Sequence, residues 1–177
     1  MLTVMIEAGA DQGPLVASLA TLIPGAVEGL VREVVVIDRG LDPATRKVAD
    51  HAGCRIVDAA GLAAVVSGAR GDWLLLLEAG ARLAPDWIDA VTSHLVDVEE
   101  ANVTPRAARF SRSRRDMPGF LSRFLSRRTA LAEGLLLPKA QAIGLVRRSR
   151  TLEDMAKGLA SRRLDASIRP RLLTQRA

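Results

Sequence analysis

Short apolar runs and helical spacings alternate along the first hundred residues of the chain. Continuous apolar runs predict buried strands, and they cover residues 2–6, 33–37, 55–57 and 73–77. Between them, apolar residues recur every three or four positions and predict helices over residues 14–23, 42–52, 60–69 and 85–97. We expect Pro24 and Gly25 to end the first helix, because proline lacks the backbone donor that a helix interior needs.

The pattern after residue 100 is less regular. Residues 103–118 are rich in arginine and serine and carry few apolar side chains, which predicts an exposed loop. Residues 119–133 place phenylalanine and leucine on one side and arginine on the other, which predicts a basic amphipathic helix. The other predicted elements are strands at 134–138 and 164–168, helices at 139–147 and 151–163, and a basic tail at 169–177.

The order of these elements predicts the fold class. Apolar strands that alternate with helices favour a mostly parallel sheet between two helical layers, a three-layer α/β/α sandwich. We expect a single domain, with residues 1–100 as its regular half and residues 101–177 as its basic half. Open sheets of this type bind ligands beyond the carboxyl ends of their strands, so the residues that follow each strand are the candidates for chemistry.

The charge of the chain is divided between the two halves. The 177 residues carry a formal net charge of +5, yet residues 1–100 hold 15 acidic and 7 basic side chains, and the remainder holds 5 and 18. A basic half attracts phosphates, nucleic acid or an anionic membrane face. Aromatic residues make up only 3% of the chain, which argues against a platform that stacks bases and ranks nucleic acid last among these partners.

Cysteine and histidine are too few for a disulfide framework or for a metal site built from those side chains. Cys54 is the only cysteine, and His51 and His94 are the only histidines. We expect Cys54, Trp73 and Trp87 in the core and both histidines on exposed helix faces. The first residues lack the basic stretch of a signal peptide, and no apolar run reaches the ~18 residues of a membrane span, so the expected compartment is the cytoplasm.

Carboxylates recur where the predicted strands end. Glu7 and Asp11 follow the first strand, Asp38 the second, Asp58 the third and Glu78 the fourth. The glycine-rich turn of dinucleotide-binding proteins, the P-loop and the nucleophile elbow of hydrolases are absent from the sequence. Carboxylates at such an edge favour either a divalent cation that holds a diphosphate or direct hydrogen bonds to a nucleoside.

Five segments, in this order, resemble the nucleotide-sugar-binding domain of family 2 glycosyltransferases, which have the GT-A fold. The first strand and its loop resemble the family's strand and Pro-x-x-Asn-Glu sequence, and residues 34–45 resemble its strand and Asp-x-Gly-Ser-x-Asp-x-Thr sequence. Residues 68–77 resemble the Ala-x-Gly-Asp lead-in to a strand, and residues 78–87 stand where the Asp-x-Asp motif belongs. Residues 134–159 resemble the acceptor-side strand and the Glu-Asp motif, so the resemblance covers about residues 2–165.

The resemblance implies roles for residues that share positions with the family's motifs. Ala8, Asp11 and Asp38 would contact the nucleoside of the donor. Asp154 or Glu153 would be the general base that takes the proton of the acceptor hydroxyl in an inverting displacement.

The metal-binding motif departs from the family pattern. Glu78 takes its first position and is a candidate ligand for Mn²⁺ or Mg²⁺, whereas Gly80 takes the second and has no side chain to ligate. If the metal is lost, Arg112, Arg114 and Arg115, or else the arginines of residues 147–150, are expected to neutralise the diphosphate, because arginine matches phosphate oxygens with paired N–H groups.

The resemblance also implies the partners: a nucleotide-sugar donor and a glycan or lipid-linked acceptor. The predicted helix at 119–133 would then contact an anionic membrane surface and place the protein on the inner face of the membrane as a peripheral protein. Two other functions remain open. One is a catalytically inactive relative that acts as a binding or scaffold module in polysaccharide assembly, and the other is a basic nucleic-acid-binding protein.

Ordinary structural roles also account for several of these side chains. Asp38 is suited to capping a turn, and Asp42 to capping a helix. Glu153 and Asp154 lie in a predicted first helical turn, where the helix dipole favours carboxylates whatever their chemistry.

Overall fold

Strands and helices alternate in the part of the chain that the structure, a computed structural model, describes: residues 1–101, 105–112 and 129–171. The strands, in chain order, are β1 (Leu2–Ala8), β2 (Val31–Asp38), β3 (Arg55–Asp58), β4 (Trp73–Glu78), β5 (Arg82–Leu83), β6 (Ala108–Arg112), β7 (Leu135–Pro138) and β8 (Arg162–Arg169). The helices are α1 (Gln12–Val27), α2 (Pro43–His51), α3 (Leu62–Ser67), α4 (Trp87–Glu100), α5 (Lys139–Val146) and α6 (Leu152–Ala156).

All of these strands belong to one sheet, in the order β3-β2-β1-β4-β7-β6-β8-β5. β1 pairs in parallel with β2 and β4, and β2 pairs in parallel with β3. β7 runs antiparallel to β4 and β6, whereas β6 and β8 are parallel to each other. β6 and β8 therefore run in the same direction as β1 to β4. The last residues of these strands form one edge of the sheet, the strand edge: Ala8, Asp38, Asp58, Glu78, Arg112 and Arg169.

Helices cover both faces of the sheet, and β1 shows how its residues divide between them. Leu2, Val4 and Ile6 pack in a buried cluster with residues of α1 and α4, whereas Met5 packs in a second cluster with residues of α3, α5 and α6. The strands need apolar residues on both faces because neither face meets solvent. The predicted three-layer α/β/α sandwich with a mostly parallel sheet is confirmed.

Helix α1 continues past its predicted stop at Pro24 and Gly25. Pro24 lies inside the helix, which ends at Val27. Gly25 makes room for a neighbour, because a Cβ atom at this position would lie 2.5 Å from the indole ring of the buried Trp87. The predicted helix end at Pro24 and Gly25 was therefore wrong. Gly25 allows α1 and α4 to pack closely and does not end the helix.

The predicted loop at 103–118 is wrong for residues 108–112, which form β6. Phe110 in this strand is fully buried, and Arg109 and Ser111 beside it are only partly covered. Arginine and serine on the less buried face hid a period-two strand pattern. Residues 102–104 and 113–118 lie outside the described residues.

Two predicted helices of the second half also differ. The helix predicted over 151–163 ends at Ala156, because Lys157 is extended, Gly158 has a φ of +68°, and β8 then pairs with β6. The amphipathic helix predicted at 119–133 lies outside the described residues as far as residue 128, and residues 130–133 form turns. The two-residue strand β5, which pairs with the end of β8, was not predicted.

Most predicted core positions are confirmed, with one histidine as the exception. Cys54 and Trp87 are buried, Trp73 is partly buried against the core, and His51 is exposed. His94 was predicted on an exposed face but is only 5% exposed, and its ring meets the edge of Trp73 with centroids 5.6 Å apart. Across the described residues, no helix has the length and apolar character needed to cross a membrane.

Candidate functional site at the strand edge

The strand edge is divided by charge. β8 ends beside β6 and beside the start of β5, because Arg112 pairs with Ile168 and Arg82 with Arg169. The acidic half of the edge, at β1 to β4, consists of Glu7, Asp38, Asp58 and Glu78. The basic half, at β5, β6 and β8, consists of Arg82, Arg112, Arg169 and Arg171. With the exception of Arg82, which comes from residues 1–100, the charge difference between the two halves of the sequence thus becomes a charge difference along one edge of one sheet.

Asp38 closes a turn at the end of β2. Its Oδ1 accepts hydrogen bonds from the N–H groups of Gly40 and Leu41, both at 2.8 Å, and its Oδ2 pairs with the guanidinium of Arg46. The hydrogen bond from Leu41 is the largest cause that holds the pKa of Asp38 below its usual value. Asp38 is therefore an ionised acceptor, and 22% of its side chain is exposed.

The loop after β1 lies beside this turn and carries the other predicted nucleoside contacts. The carbonyl of Ala8 accepts the N–H of Arg39 at 2.9 Å, and the carbonyl of Ala10 accepts the hydroxyl of Thr45 at 2.9 Å. Asp11 caps α1 by accepting a backbone N–H at 3.1 Å. The structure thus brings together the ends of β1 and β2, as the sequence predicts.

Glu7, which sequence reasoning placed at a strand end without a role, joins the strand edge to α6. Its Oε1 accepts hydrogen bonds from the guanidinium of Arg39 at 2.8 Å and from the N–H of Leu152 at 3.0 Å. Arg39 also donates to the carbonyl of Arg150 at 2.7 Å. These contacts hold the start of α6, with its acidic pair, against the end of β1.

Glu78 and Glu153 lie near each other at the centre of the edge. The hydroxyl of Thr129 donates to Glu78 at 3.0 Å, and Glu153 accepts the N–H groups of Ala130 and Leu131 at 2.8 and 3.3 Å. Burial raises the pKa of Glu78, and the nearby charge of Glu153 also raises it, against the hydrogen bond from Thr129. A carboxylate whose ionised form is disfavoured by burial and by a nearby negative charge is typical of functional sites.

Asp154 has different surroundings from those of its neighbour Glu153. Its Oδ1 accepts a hydrogen bond from Lys157 at 2.9 Å, and its own N–H donates to the hydroxyl of Thr151 at 2.9 Å. Lys157, then Thr151, lowers the pKa of Asp154 to about 2. The two predicted catalytic residues therefore differ. Glu153 lies near Glu78, whereas Asp154 is an ionised carboxylate that forms an ion pair with Lys157.

Of the three arginines predicted to bind the diphosphate, only Arg112 is among the described residues, and Arg114 and Arg115 lie outside them. Arg112 ends β6 at the strand edge, where its Nε is 3.5 Å from a carboxylate oxygen of Glu133. That Nε is buried and makes no hydrogen bond within the described part of the chain.

A groove of about 330 Å³ lies between α4 and the first half of β8. Charged side chains line it: Asp86, Asp89, Asp97, Arg162, Arg163 and Asp165. It contains none of the predicted site residues and lies beside the opposite end of β8 from the strand edge. We therefore regard the strand edge, where the predicted residues meet, as the candidate site.

Replacing Glu78 with glutamine is expected to stabilise the fold at neutral pH. Because the pKa of Glu78 is raised, the native state binds this proton more tightly than the unfolded chain does. That stabilising contribution is complete below the usual pKa and is lost as the pH rises through the raised value. Glutamine keeps an acceptor for Thr129 without the charge, so the variant should melt above the native chain at about pH 7 and lose this advantage near pH 4.

Glu33→Gln is the matched control, and its expected change in melting temperature at neutral pH has the opposite sign. Burial raises the pKa of Glu33, but hydrogen bonds from the Arg70 N–H at 2.7 Å and the Thr3 hydroxyl at 2.9 Å, together with Arg55, leave it lowered. This contribution to stability is present above the usual pKa and is lost as the pH falls, so Glu33→Gln should melt below the native chain at neutral pH. A Glu78→Gln protein that also melts lower at neutral pH would contradict the account of Glu78.

No protein-family model and no curated protein matches the sequence, but solved structures share its fold. S. aureus TarS 1-349 superposes with a TM-score of 0.65 at 12% identity, over 96% of this chain and 60% of that chain. Glucosyl-3-phosphoglycerate synthase from Mycobacterium tuberculosis superposes with a TM-score of 0.61 at 14% identity, over 100% of this chain and 73% of that chain. The mannosyltransferase PcManGT from Pyrobaculum calidifontis, in complex with GDP-Man and Mn²⁺, superposes with a TM-score of 0.57 at 16% identity, over 81% of this chain and 46% of that chain.

This chain has the GT-A fold. It spans 60% of the length of the TarS structure and 46% of that of PcManGT. At these identities the likeness shows the fold alone.

The segment that stands where the sequence resemblance expects the Asp-x-Asp motif is a tight turn in this chain. The N–H of Ala81 donates to the carbonyl of Glu78 at 3.0 Å, and Gly80 between them has a φ of +100°. Such a turn favours glycine at its third position because other residues are strained there. The N–H of Gly80 donates to Ser18 Oγ at 2.9 Å, which fixes the turn against α1.

The residues at this turn do not fit a divalent cation. The described residues include no group of three or more histidine, cysteine, aspartate or glutamate side chains that could hold one. Glu78 alone represents the motif, and the stem of Arg171 occupies the space beside Gly80, 2.9 Å from where a Cβ would stand. PcManGT and the M. tuberculosis synthase, by contrast, have structures with Mn²⁺.

Sequence reasoning missed Arg39, Thr129 and Arg171. Arg39 follows the predicted second strand directly, so its position at the strand edge was a usable signal. Thr129 fell inside a predicted helix and Arg171 inside a predicted tail. Their roles depend on the pairing of β7 and β8 with distant strands, which local sequence patterns do not reveal.

Proposed function

We propose that this chain transfers a sugar from a nucleoside diphosphate to an acceptor hydroxyl at the strand edge. The observation that carries the proposal is the distribution of groups along that edge in a GT-A fold. Asp11 and Asp38 offer carboxylate acceptors, which suit the hydroxyls of a ribose and the N–H groups of a base. Arg112 and Arg171 offer guanidinium groups, which suit the oxygens of a diphosphate.

The proposed reaction is a direct displacement at the anomeric carbon. The acceptor oxygen forms a bond to this carbon from the face opposite the diphosphate, and the bond to the diphosphate oxygen breaks. The nucleoside diphosphate leaves with the electron pair, the hydroxyl proton passes to a carboxylate, and the configuration at the anomeric carbon is inverted.

Glu153 is the better placed of the two candidate bases. Two backbone N–H groups orient its carboxylate, and it lies near Glu78 at the centre of the edge. Asp154 is paired with Lys157, and with a pKa of about 2 it is poorly matched to accept a proton at neutral pH. We therefore assign the base to Glu153 and a supporting role at the start of α6 to Asp154.

The acceptor side of the proposal extends beyond the described residues. We propose a glycan or lipid-linked acceptor and a cytoplasmic location, on the inner face of a membrane. Contact with an anionic membrane surface would involve the predicted helix at 119–133, which is mostly outside the described residues.

A binding or scaffold module is the second candidate function. The observation that favours it is the turn at Gly80, which leaves Glu78 as the only carboxylate of the motif. Such a module would bind the donor without consuming it. Release of nucleoside diphosphate in the presence of acceptor separates the two functions.

Calorimetry against uridine- and guanosine-diphosphate sugars tests donor binding. We expect one class of donor to bind the native chain, and Asp38→Asn to weaken it about tenfold, because a charge-assisted hydrogen bond is lost. Asp72→Asn is the matched control, since Asp72 is 89% exposed at the opposite edge of the sheet. The absence of binding of any donor at millimolar concentration would refute the proposed function.

A further inference from the structure

The basic half of the strand edge stands next to the turn that replaces the metal-binding motif. Glu78 ends β4, the turn at Gly80 follows, and β5 begins at Arg82. Arg82 pairs in register with Arg169, and Arg171 follows two residues later. Positive side chains are therefore built into the same corner of the sheet as Glu78.

Arg171 occupies space that a second acidic side chain would need. A Cβ atom on Gly80 would lie 2.9 Å from the Cγ and 3.1 Å from the Cβ of Arg171. The φ of +100° at Gly80 also strains any residue with a side chain. The turn and the arginine stem thus exclude a second carboxylate and place a guanidinium beside the first.

Two further arginines, Arg82 and Arg112, stand at this corner. The Nε atoms of Arg82 and Arg112 are buried and make no hydrogen bond to any described residue. Because both Nε atoms are covered by the protein, an anion at the strand edge would meet the terminal N–H groups of these guanidiniums; the Arg112 side chain is 37% exposed. Arg112 is also oriented by Glu133, 3.5 Å away.

The charges at this corner already act on one another. Arg171 and Arg112 both favour the ionised form of Glu78, against its burial and the charge of Glu153. The arginines at this corner, Arg82, Arg112, Arg169 and Arg171, outnumber its carboxylates, Glu78, Glu133 and Glu153, and leave a positive balance. A diphosphate, with its several negative oxygens, complements that balance without a further cation.

We infer that Arg112 and Arg171 bind the diphosphate of the donor directly, in place of a divalent cation. This inference rests on the proposed function and names how the same site holds its substrate. Guanidinium groups pair with phosphate oxygens in a bidentate manner and stay charged at any working pH. They also stabilise the charge that develops on the leaving diphosphate, which is the part that a metal plays in other enzymes.

Calorimetry with inorganic pyrophosphate, UDP and GDP tests the inference on the native chain, in EDTA and in manganese chloride. We expect pyrophosphate and at least one nucleotide to bind in EDTA, with the nucleotide bound more tightly. Manganese should not strengthen either affinity. Donor binding that appears only with manganese would overturn the inference and leave the proposed function standing.

Charge-removing variants test the residues themselves. Arg171→Gln and Arg112→Gln should each weaken pyrophosphate and nucleotide binding in EDTA about tenfold. Arg32→Gln is the matched control, because Arg32 is exposed near the start of β2, at the opposite edge of the sheet. Thermal melts establish that each variant is folded, and native affinity in both site variants would overturn the inference.

The remaining outcomes separate this inference from the proposed function. One outcome is that pyrophosphate binds in a way that depends on Arg112 and Arg171, but UDP and GDP bind no more tightly than pyrophosphate. That outcome would support an anion site at these arginines and would overturn the proposed nucleotide-sugar transfer. Failure of all three ligands to bind under either condition would overturn both.

Discussion

Replacing Glu153 with glutamine is expected to lower the rate of sugar transfer by about 10²- to 10⁴-fold, the usual contribution of a general base. Glutamine cannot take the acceptor proton, although its carbonyl can still accept one of the backbone N–H groups of Ala130 and Leu131. Donor binding should change little, because the base acts on the acceptor. The rate is measured as release of nucleoside diphosphate from the donor that binds.

Asp154→Asn is the matched control for this prediction. Asp154 is adjacent in sequence but paired with Lys157, so its replacement should change the rate by less than about tenfold. A larger loss in Asp154→Asn than in Glu153→Gln would assign the base to Asp154 instead. Equal, small losses in both variants would show that neither carboxylate is the base, whereas no release of nucleoside diphosphate by the native chain would favour the binding or scaffold module.

Gly71→Ala is expected to cost about 3 kcal/mol or more of the free energy of unfolding, because overpacking here meets rigid backbone. A Cβ atom at Gly71 would lie 2.5 Å from the nitrogen of Thr3 and 2.6 Å from the carbonyl carbon of Leu2. Both atoms belong to β1, at the centre of the sheet. Gly71 also donates to the Thr3 hydroxyl at 2.9 Å, so a shift of either strand breaks a buried hydrogen bond.

Gly61→Ala is the control that separates this clash from the general effect of replacing glycine. A Cβ atom at Gly61 would meet no atom within 4 Å, and its φ is −88°. Its free energy of unfolding should change by less than about 1 kcal/mol. Urea unfolding of the two variants measures the difference, and a Gly71→Ala protein as stable as Gly61→Ala would contradict the packing described here.

The first half of the fold was predictable because its signals are local. Continuous apolar runs such as residues 73–77 marked the buried strands, and Asp42 with Pro43 marked the start of α2, where Asp42 accepts the N–H of Thr45. The resemblance also placed Gly71 in a Gly-Asp sequence before β4. The structure adds the reason for that glycine, which is the close approach of β1.

The second half was harder to predict because its strands pair with partners distant in sequence. Phe110 became a core residue only once β6 lay between β7 and β8, and Gly158 ended a helix so that β8 could reach β6. His94 was placed on an exposed face because a lone histidine in a helix carries no signal of burial. Trp73 covers it in the folded protein.

The candidate site shows the same division. Asp38 and Glu78 were predictable as residues at strand ends, because parallel strands bring their carboxyl ends to one edge. Whether Glu153 or Asp154 approaches Glu78 depends on the direction in which α6 presents its first turn, which spacing alone leaves open. The arginine beside Gly80 was not predictable, since it requires the register between β5 and β8.

Amide NMR mapping of the bound nucleotide tests the central claim most directly, namely that the strand edge is the donor site. On titration with UDP or GDP, we predict the largest shift changes at residues 8–11, 38–41 and 78–81, which form the ends of β1, β2 and β4. Amides that line the groove between α4 and β8, such as those of Ser93 and Arg162, should stay unchanged. Shift changes confined to that groove, with none at the strand edge, would contradict the account.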